Sequence, residues 1–114
     1  MKITCTAVRI PTVRAHAESI TLETRSAINR DDVLECLKDA PGVVVQDDPE
    51  RAIYPMPLTS SHKDPVAVGR IRQSLVFENN GIEMFVCGDQ VRRGAALNAV
   101  LIAERLNEDE NKGA

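Results

Sequence analysis

A chain of 114 residues with a net charge of −3, 43% hydrophobic and 27% charged, has the make-up of one ordinary globular domain with a modest core. Its mild acidity gives no general attraction to DNA or anionic lipid, and 3% aromatics without Trp cannot supply the stacking platforms of nucleic-acid modules, so neither nucleic acid nor a membrane is an expected partner. No apolar run approaches the ~20 residues that span a bilayer. No signal-peptide pattern opens the chain. Cys5, Cys36 and Cys87 are isolated, which argues against a disulfide framework or a zinc knuckle. A reducing cytoplasm is expected, and no metal site.

Ile3 to Val8 is rich in β-branched residues and predicts a strand. Pro11 removes a ladder donor, so the chain bends there or lies at a sheet edge. Polar and apolar residues alternate from Ala17 to Glu23, which predicts a half-buried second strand. Arg9 and His16 then fall in or beside the connection between the two, where binding chemistry usually sits. Asn29 is a good N-cap, and Asp31 and Asp32 suit the first turn of a helix. Its apolar face is Val33, Leu34 and Leu37, and Pro41-Gly42 stops it.

Val43 to Val45 reads as a short buried strand. Asp47 to Lys63 is long, polar and proline-rich; such a connection is usually functional or a contact arm. Structure returns from Val66 to Val76, interrupted at Gly69 to Arg72. Asn79-Asn80-Gly81 signals a turn, and Ile82 to Cys87 the strand after it. Asp89 caps a last helix that runs to about Leu106. The acids beyond it predict a solvated, disordered tail over 107–114, leaving 1–106 as the domain. The order is strand, strand, helix, strand, strand, strand, helix. It predicts an α+β fold with a mostly antiparallel, mixed sheet and helices on one face.

His16 is the best proton-transfer candidate, because histidine titrates near neutral pH; an exposed or structural histidine is the plainer reading. Arg9 can fork onto a carboxylate or phosphate, or form a surface salt bridge. His62, in a polar loop, is expected to be simply exposed. Arg70 and Arg72 alternate along a strand and so share a face, solvated or paired with acids across an interface. Arg92 and Arg93 fall in a first helical turn, where the dipole disfavours cations unless an anion or acidic partner is near. The three cysteines lie among apolar residues, which raises a thiol pKa and makes it inert. No glycine-rich phosphate loop, paired carboxylates or metal-ligand spacing stands out.

Three ordered stretches carry a family resemblance. They are Cys5-Thr6-Ala7-Val8-Arg9-Ile10-Pro11 through His16-Ala17-Glu18-Ser19; Ala40-Pro41-Gly42-Val43-Val44-Val45-Gln46-Asp47-Asp48-Pro49 with Tyr54-Pro55-Met56-Pro57 and Val68-Gly69-Arg70-Ile71-Arg72; and Asp89-Gln90-Val91-Arg92-Arg93-Gly94-Ala95-Ala96-Leu97-Asn98-Ala99. Together they resemble the C-terminal third of bacterial aspartate-semialdehyde dehydrogenases, over nearly the whole chain except the acidic tail. The resemblance implies the C-terminal domain fold of glyceraldehyde-3-phosphate dehydrogenase-like enzymes. It also implies reduction of aspartyl phosphate by NADPH to aspartate semialdehyde, towards lysine, threonine, methionine and diaminopimelate, in a homodimer.

By that resemblance Arg9 holds the substrate α-carboxylate and His16 is the general acid/base. Gln90, Gly94 and Asn98 lie towards the NADP cofactor, with Gly94 allowing a close backbone approach. The family's nucleotide-binding domain, its nucleophilic cysteine in an Asn-Cys context, its substrate glutamine and its phosphate lysine have no counterpart in this sequence. None of Cys5, Cys36 and Cys87 matches the nucleophile's motif. The chain is therefore expected to be inactive alone, as a fragment of a longer enzyme, a free-standing remnant or a split subunit. The alternatives are a non-catalytic dimerisation or interaction module of the same descent, and part of an N-acetyl-glutamyl-phosphate reductase. Val68 to Arg72 and the Gly94 to Asn98 helix favour the first enzyme over the second.

Overall fold

The computed structural model describes residues 9–112, so the strand expected over Ile3 to Val8, and Cys5 with it, lie outside the described residues. Four strands form one sheet: β1 (His16–Glu23), β2 (Val43–Val45), β3 (Val66–Gln73) and β4 (Gly81–Gly88), in the order β1-β4-β3-β2. The β1–β4 and β4–β3 pairs are antiparallel, and β2 joins β3 in parallel. The fold is α+β with a mostly antiparallel sheet, as expected.

Helix α1 (Arg30–Lys38) is set by local chemistry. Asn29 accepts the Asp32 N–H at 2.9 Å, and Asp31 and Asp32 face the positive end of the helix dipole. Gly42, at φ 77°, turns the chain into β2. The apolar stripe Val33, Leu34 and Leu37 packs on a core of Val68, Ile71 and Ile82, with Val43, Val66, Met84 and Val86 around it. Ile82 is fully buried, which stabilises the fold by about 1.5–3 kcal/mol relative to leaving it in water. Strand alternation and register put His16, Glu18, Ile20 and Leu22 on that same face, opposite Gly88, Val86, Met84 and Ile82.

Two readings of the strands need correction. Val43 to Val45 is not a fully buried strand: it is the edge strand beyond β3, and Val44 is exposed. Nor does simple alternation place Arg70 and Arg72 on one face. The register shifts between Gly69 and Arg72, where β3 carries one residue more than β4. That bulge lets both Val68 and Ile71 enter the core. Arg70 occupies it at φ 56°, and Asp47 holds it there by accepting the N–H groups of Arg70 at 2.8 Å and Ile71 at 3.2 Å. Arg30 braces the same point, donating to the Ile71 carbonyl at 2.9 Å and to Asp47 at 3.3 Å. Arg72 pairs with Glu83 of its own chain, directly across the sheet.

The long connection is not a free arm. An isolated bridge joins Asp48 and Ile53, α2 (Pro57–Ser60) follows, and Pro55 is buried. Pro55 packs so closely on Gly69 that a Cβ there would lie 2.7 Å from Pro55 Cδ and 2.0 Å from the Gln46 carbonyl oxygen. Tyr54, Met56 and Leu58 remain exposed.

After β4 the chain enters a π-helical turn, Arg92–Ala96, and then α3 (Leu97–Lys112). The helix therefore continues to Lys112, past the end expected near Leu106 and through part of the stretch expected to be a disordered tail. Arg105 stitches it with Glu108 at 3.6 Å and Asp109 at 3.4 Å, the i,i+3 and i,i+4 spacings that support an exposed helix. Among the described residues no helix is long and apolar enough to cross a membrane.

Candidate functional site

His16 is the first residue of β1 and is exposed. Its cross-strand partner is Gly88, so Asp89 and Gln90 emerge beside it as β4 ends. Two ties join these segments. Gln90 Oε1 accepts the Ala15 N–H at 2.8 Å, and Asp89 Oδ2 accepts Arg14 Nε at 2.6 Å. Asp89 Oδ2 also accepts the His62 N–H at 2.7 Å, which brings the end of the long connection to the same point. Its other oxygen caps the turn after β4, accepting from Val91 N at 2.9 Å and Arg92 N at 3.4 Å. Asp89 thus caps the turn ahead of the helix rather than the helix itself, whose N-cap is Val91 with no side-chain bond, and that is half of what this side chain does.

Asp89 is buried, and burial alone would raise its pKa. The Arg14 guanidinium outweighs burial and, with the amides of His62 and Val91, holds the carboxyl well below the usual range for aspartate. Asp89 is therefore a fixed negative charge across the working pH range. His62 is exposed as expected, though its main chain is held at φ 63°.

The other expected residues divide. Gln90 is drawn to the His16 segment through Ala15. Gly94 sits in the π-helical turn with open space above it: an added Cβ would meet only Gln90 Cβ, at an ordinary 3.7 Å. No part of the described chain requires glycine there. Asn98 is exposed in the first turn of α3. Gln90, Gly94 and Asn98 follow one another along the turn, the π-helical segment and the start of α3. Arg9 is exposed and makes no hydrogen bond or ion pair among the described residues.

Arg92 has the acidic partner its position called for, Asp64, and Arg93 donates to the Pro41 carbonyl at 3.0 Å. Cys87 is fully buried beneath the sheet's register with Ala17 and Ala67; burial, helped by Glu18, pushes its thiol up to about 11. Cys36 does not share that environment, since it is exposed on α1. No group of three or more His, Cys, Asp or Glu side chains could hold a metal among the described residues.

Sequence reasoning missed Arg14. A lone arginine two residues before a histidine carries no local signal, and its partner lies 75 positions away. Two surface clefts lie elsewhere, one along β2 beside Lys38, Asp48 and Ile53, the other around Arg30, Asp47 and Arg70.

Residues 1–93 match the family described as semialdehyde dehydrogenase, dimerisation domain. The aspartate-semialdehyde dehydrogenase of Aquifex aeolicus is 49% identical over 106 residues, which cover 93% of this chain and 31% of that protein. The Synechocystis enzyme of the same name is 44% identical, over 95% of this chain and 32% of its own length. Among solved structures, aspartate semialdehyde dehydrogenase II from Vibrio cholerae, complexed with ASA, superposes with a TM-score of 0.80 at 37% identity, over 89% of this chain and 29% of that one. The chain thus spans about a third of the length of the relatives it matches. The chain belongs to the aspartate-semialdehyde dehydrogenase family, in which it corresponds to the C-terminal dimerisation and catalytic domain.

Proposed function

We propose that this domain supplies the carboxylate clamp and the proton relay of an enzyme that reduces aspartyl phosphate to aspartate semialdehyde with release of phosphate. The observation that carries the reading is the tie between Ala15 and Gln90, which seats exposed His16 beside the turn leading to Gly94 and Asn98. His16 is the general acid/base, and Arg9, free of protein partners among the described residues, takes the substrate carboxylate in a bidentate fork. The reaction also needs a thiolate nucleophile. Among the described residues Cys87 is buried and protonated and Cys36 is exposed on α1; neither they nor Cys5 stands in the nucleophile's motif, and on this reading the thiol comes from sequence beyond this chain. The domain pairs with a second copy, in keeping with the dimerisation family it matches.

Gln90, Gly94 and Asn98 fit one flank of an NADP site: Gly94 lies beside Gln90, and the space above Gly94 is otherwise open. The cofactor supplies hydride when bound. Gly94 gives it room, and Gln90 keeps its side-chain oxygen on the Ala15 amide and so orients the His16 segment. The rest of the cofactor site lies beyond this chain. The enzyme works in the cytoplasm, where NADPH and reduced thiols are maintained.

The test is an assay of the chain alone and then with the nucleotide-binding portion added in trans. Activity that appears only on mixing, and is abolished by His16→Ala, supports the reading. Stable dimers with no activity in either assay replace it with a non-catalytic dimerisation module.

A further inference from the structure

Ala15 and His62 are non-glycine residues in the left-handed region, at φ 72° and 63°. Such residues cost about 1–3 kcal/mol each and persist only where the surroundings over-determine them. The surroundings here are two consecutive side chains of one turn. Asp89 takes the His62 N–H and Gln90 takes the Ala15 N–H. Asp89 also grips the side chain of Arg14, the residue before Ala15, and the Ser61 hydroxyl reaches the Arg14 carbonyl at 3.4 Å. The main chain immediately before His16 is thus held at two points, and the Arg14 side chain at a third. Ala15 and Asp89 are buried, while His16 beside them is exposed.

We propose that Asp89, acting through its ion pair with Arg14, is a positioning residue for His16: it fixes the left-handed corner at Ala15 from which the imidazole is presented. This rests on the reading of His16 as the proton-transfer group. Asp89 itself touches no reacting atom. Capping the turn after β4 needs one acceptor oxygen, and Oδ1 fills that role through Val91 and Arg92. Oδ2 is a second, charged acceptor serving Arg14 and His62 alone. Asparagine keeps one oxygen for the cap but turns an NH₂ group towards two donors. Asp89→Asn therefore separates the clamp from the cap.

The test has two arms. In the enzyme assembled from this domain and the nucleotide-binding portion, Asp89→Asn and Arg14→Gln each lower kcat on the order of 10²-fold, the usual result of a reacting group displaced by about 1 Å. KM for the acyl phosphate stays within about twofold, because Arg9 is untouched, and the double variant loses no more than either single one. In the 114-residue chain alone, NMR coupling constants and amide exchange at Ala15 report the corner directly: both variants lose the positive φ and the protection of the Ala15 N–H. A wild-type kcat in both variants, additive losses, or an Ala15 corner that survives in both overturns the positioning role. A wild-type mixture without activity overturns instead the functional reading on which it rests. Arg14→Gln keeps the question decidable if Asp89→Asn fails to fold.

Discussion

Arg14 and Asp89 meet at 2.6 Å with the carboxylate wholly out of solvent and the guanidinium 28% exposed. A buried carboxylate with one exposed-side cation and three amide donors gains its stability from being ionised, and that dependence sets how the domain responds to acid.

The folded pKa of Asp89 lies below its unfolded value of about 3.9. Its contribution is therefore complete above that value and is lost as pH falls towards the folded pKa. Denaturation midpoints measured from pH 7 down to pH 2 should fall more steeply below pH 4 in the wild-type chain than in Asp89→Asn. Parallel curves would mean that the clamp contributes nothing to stability.

The cysteines give a second expectation. The Cys87 thiol titrates near 11, so in the folded chain it stays protonated at neutral pH and is shielded as well. Because that pKa is raised, the linked stability is complete below the ordinary thiol pKa and lost as pH rises through the folded value. Cys36, exposed on α1, should be alkylated by iodoacetamide at pH 8 while Cys87 reacts only in denaturant. Peptide mass spectrometry distinguishes the two, and equal labelling of the native chain would contradict this burial.

What was legible in the sequence is what acts over a few residues. The Asn29 cap, the Pro41-Gly42 stop, the turn before Gly81 and the alternation in β1 each depend on neighbours in the chain, and each is found where expected. Non-local ties were invisible. Nothing near Asp47 announces a bulge more than twenty positions later, and without the bulge Arg70 and Arg72 read as a plain alternating pair. Val43 to Val45 has the composition of a central strand, but sheet order, not composition, decides which strand lies at the edge. Cys36 has Leu34 and Leu37 close by in sequence, but at 100° per residue it lies about 100° round the helix from the centre of the Val33–Leu34–Leu37 stripe. His16 and Gln90 stand out as candidates by their motifs, but the bond that joins their segments carries no signal in the sequence.

Asp47→Ala tests the bulge. Asp47 is almost fully buried and accepts two consecutive amides as well as Arg30. Removing it leaves those donors without an acceptor, at about 1–3 kcal/mol for each one that water cannot reach. Urea denaturation should show a loss in that range, with faster amide exchange at Arg70 and Ile71. Unchanged exchange there would show that the bulge is held by the strand pairing alone.

Two glycines with opposite surroundings separate packing from ligand approach. At Gly69 a Cβ would sit 2.0 Å from a backbone oxygen that has little freedom, because Gln46 donates its own N–H to Val68 at 2.8 Å. Gly69→Ala must push β2 and Pro55 away from β3 and should cost about 1–3 kcal/mol or more. At Gly94 the same methyl finds only Gln90 Cβ at 3.7 Å. Removing a glycine from a helical turn should then leave the chain as stable, or more stable by about 0.5–1 kcal/mol. If the space above Gly94 belongs to the cofactor, Gly94→Ala in the assembled enzyme should nevertheless raise KM for NADPH while leaving KM for the acyl phosphate unchanged. Thermal denaturation of the chain and initial rates of the assembled enzyme measure the two effects separately. A destabilised Gly94→Ala chain, or an unaltered KM for NADPH, would remove Gly94 from the cofactor site.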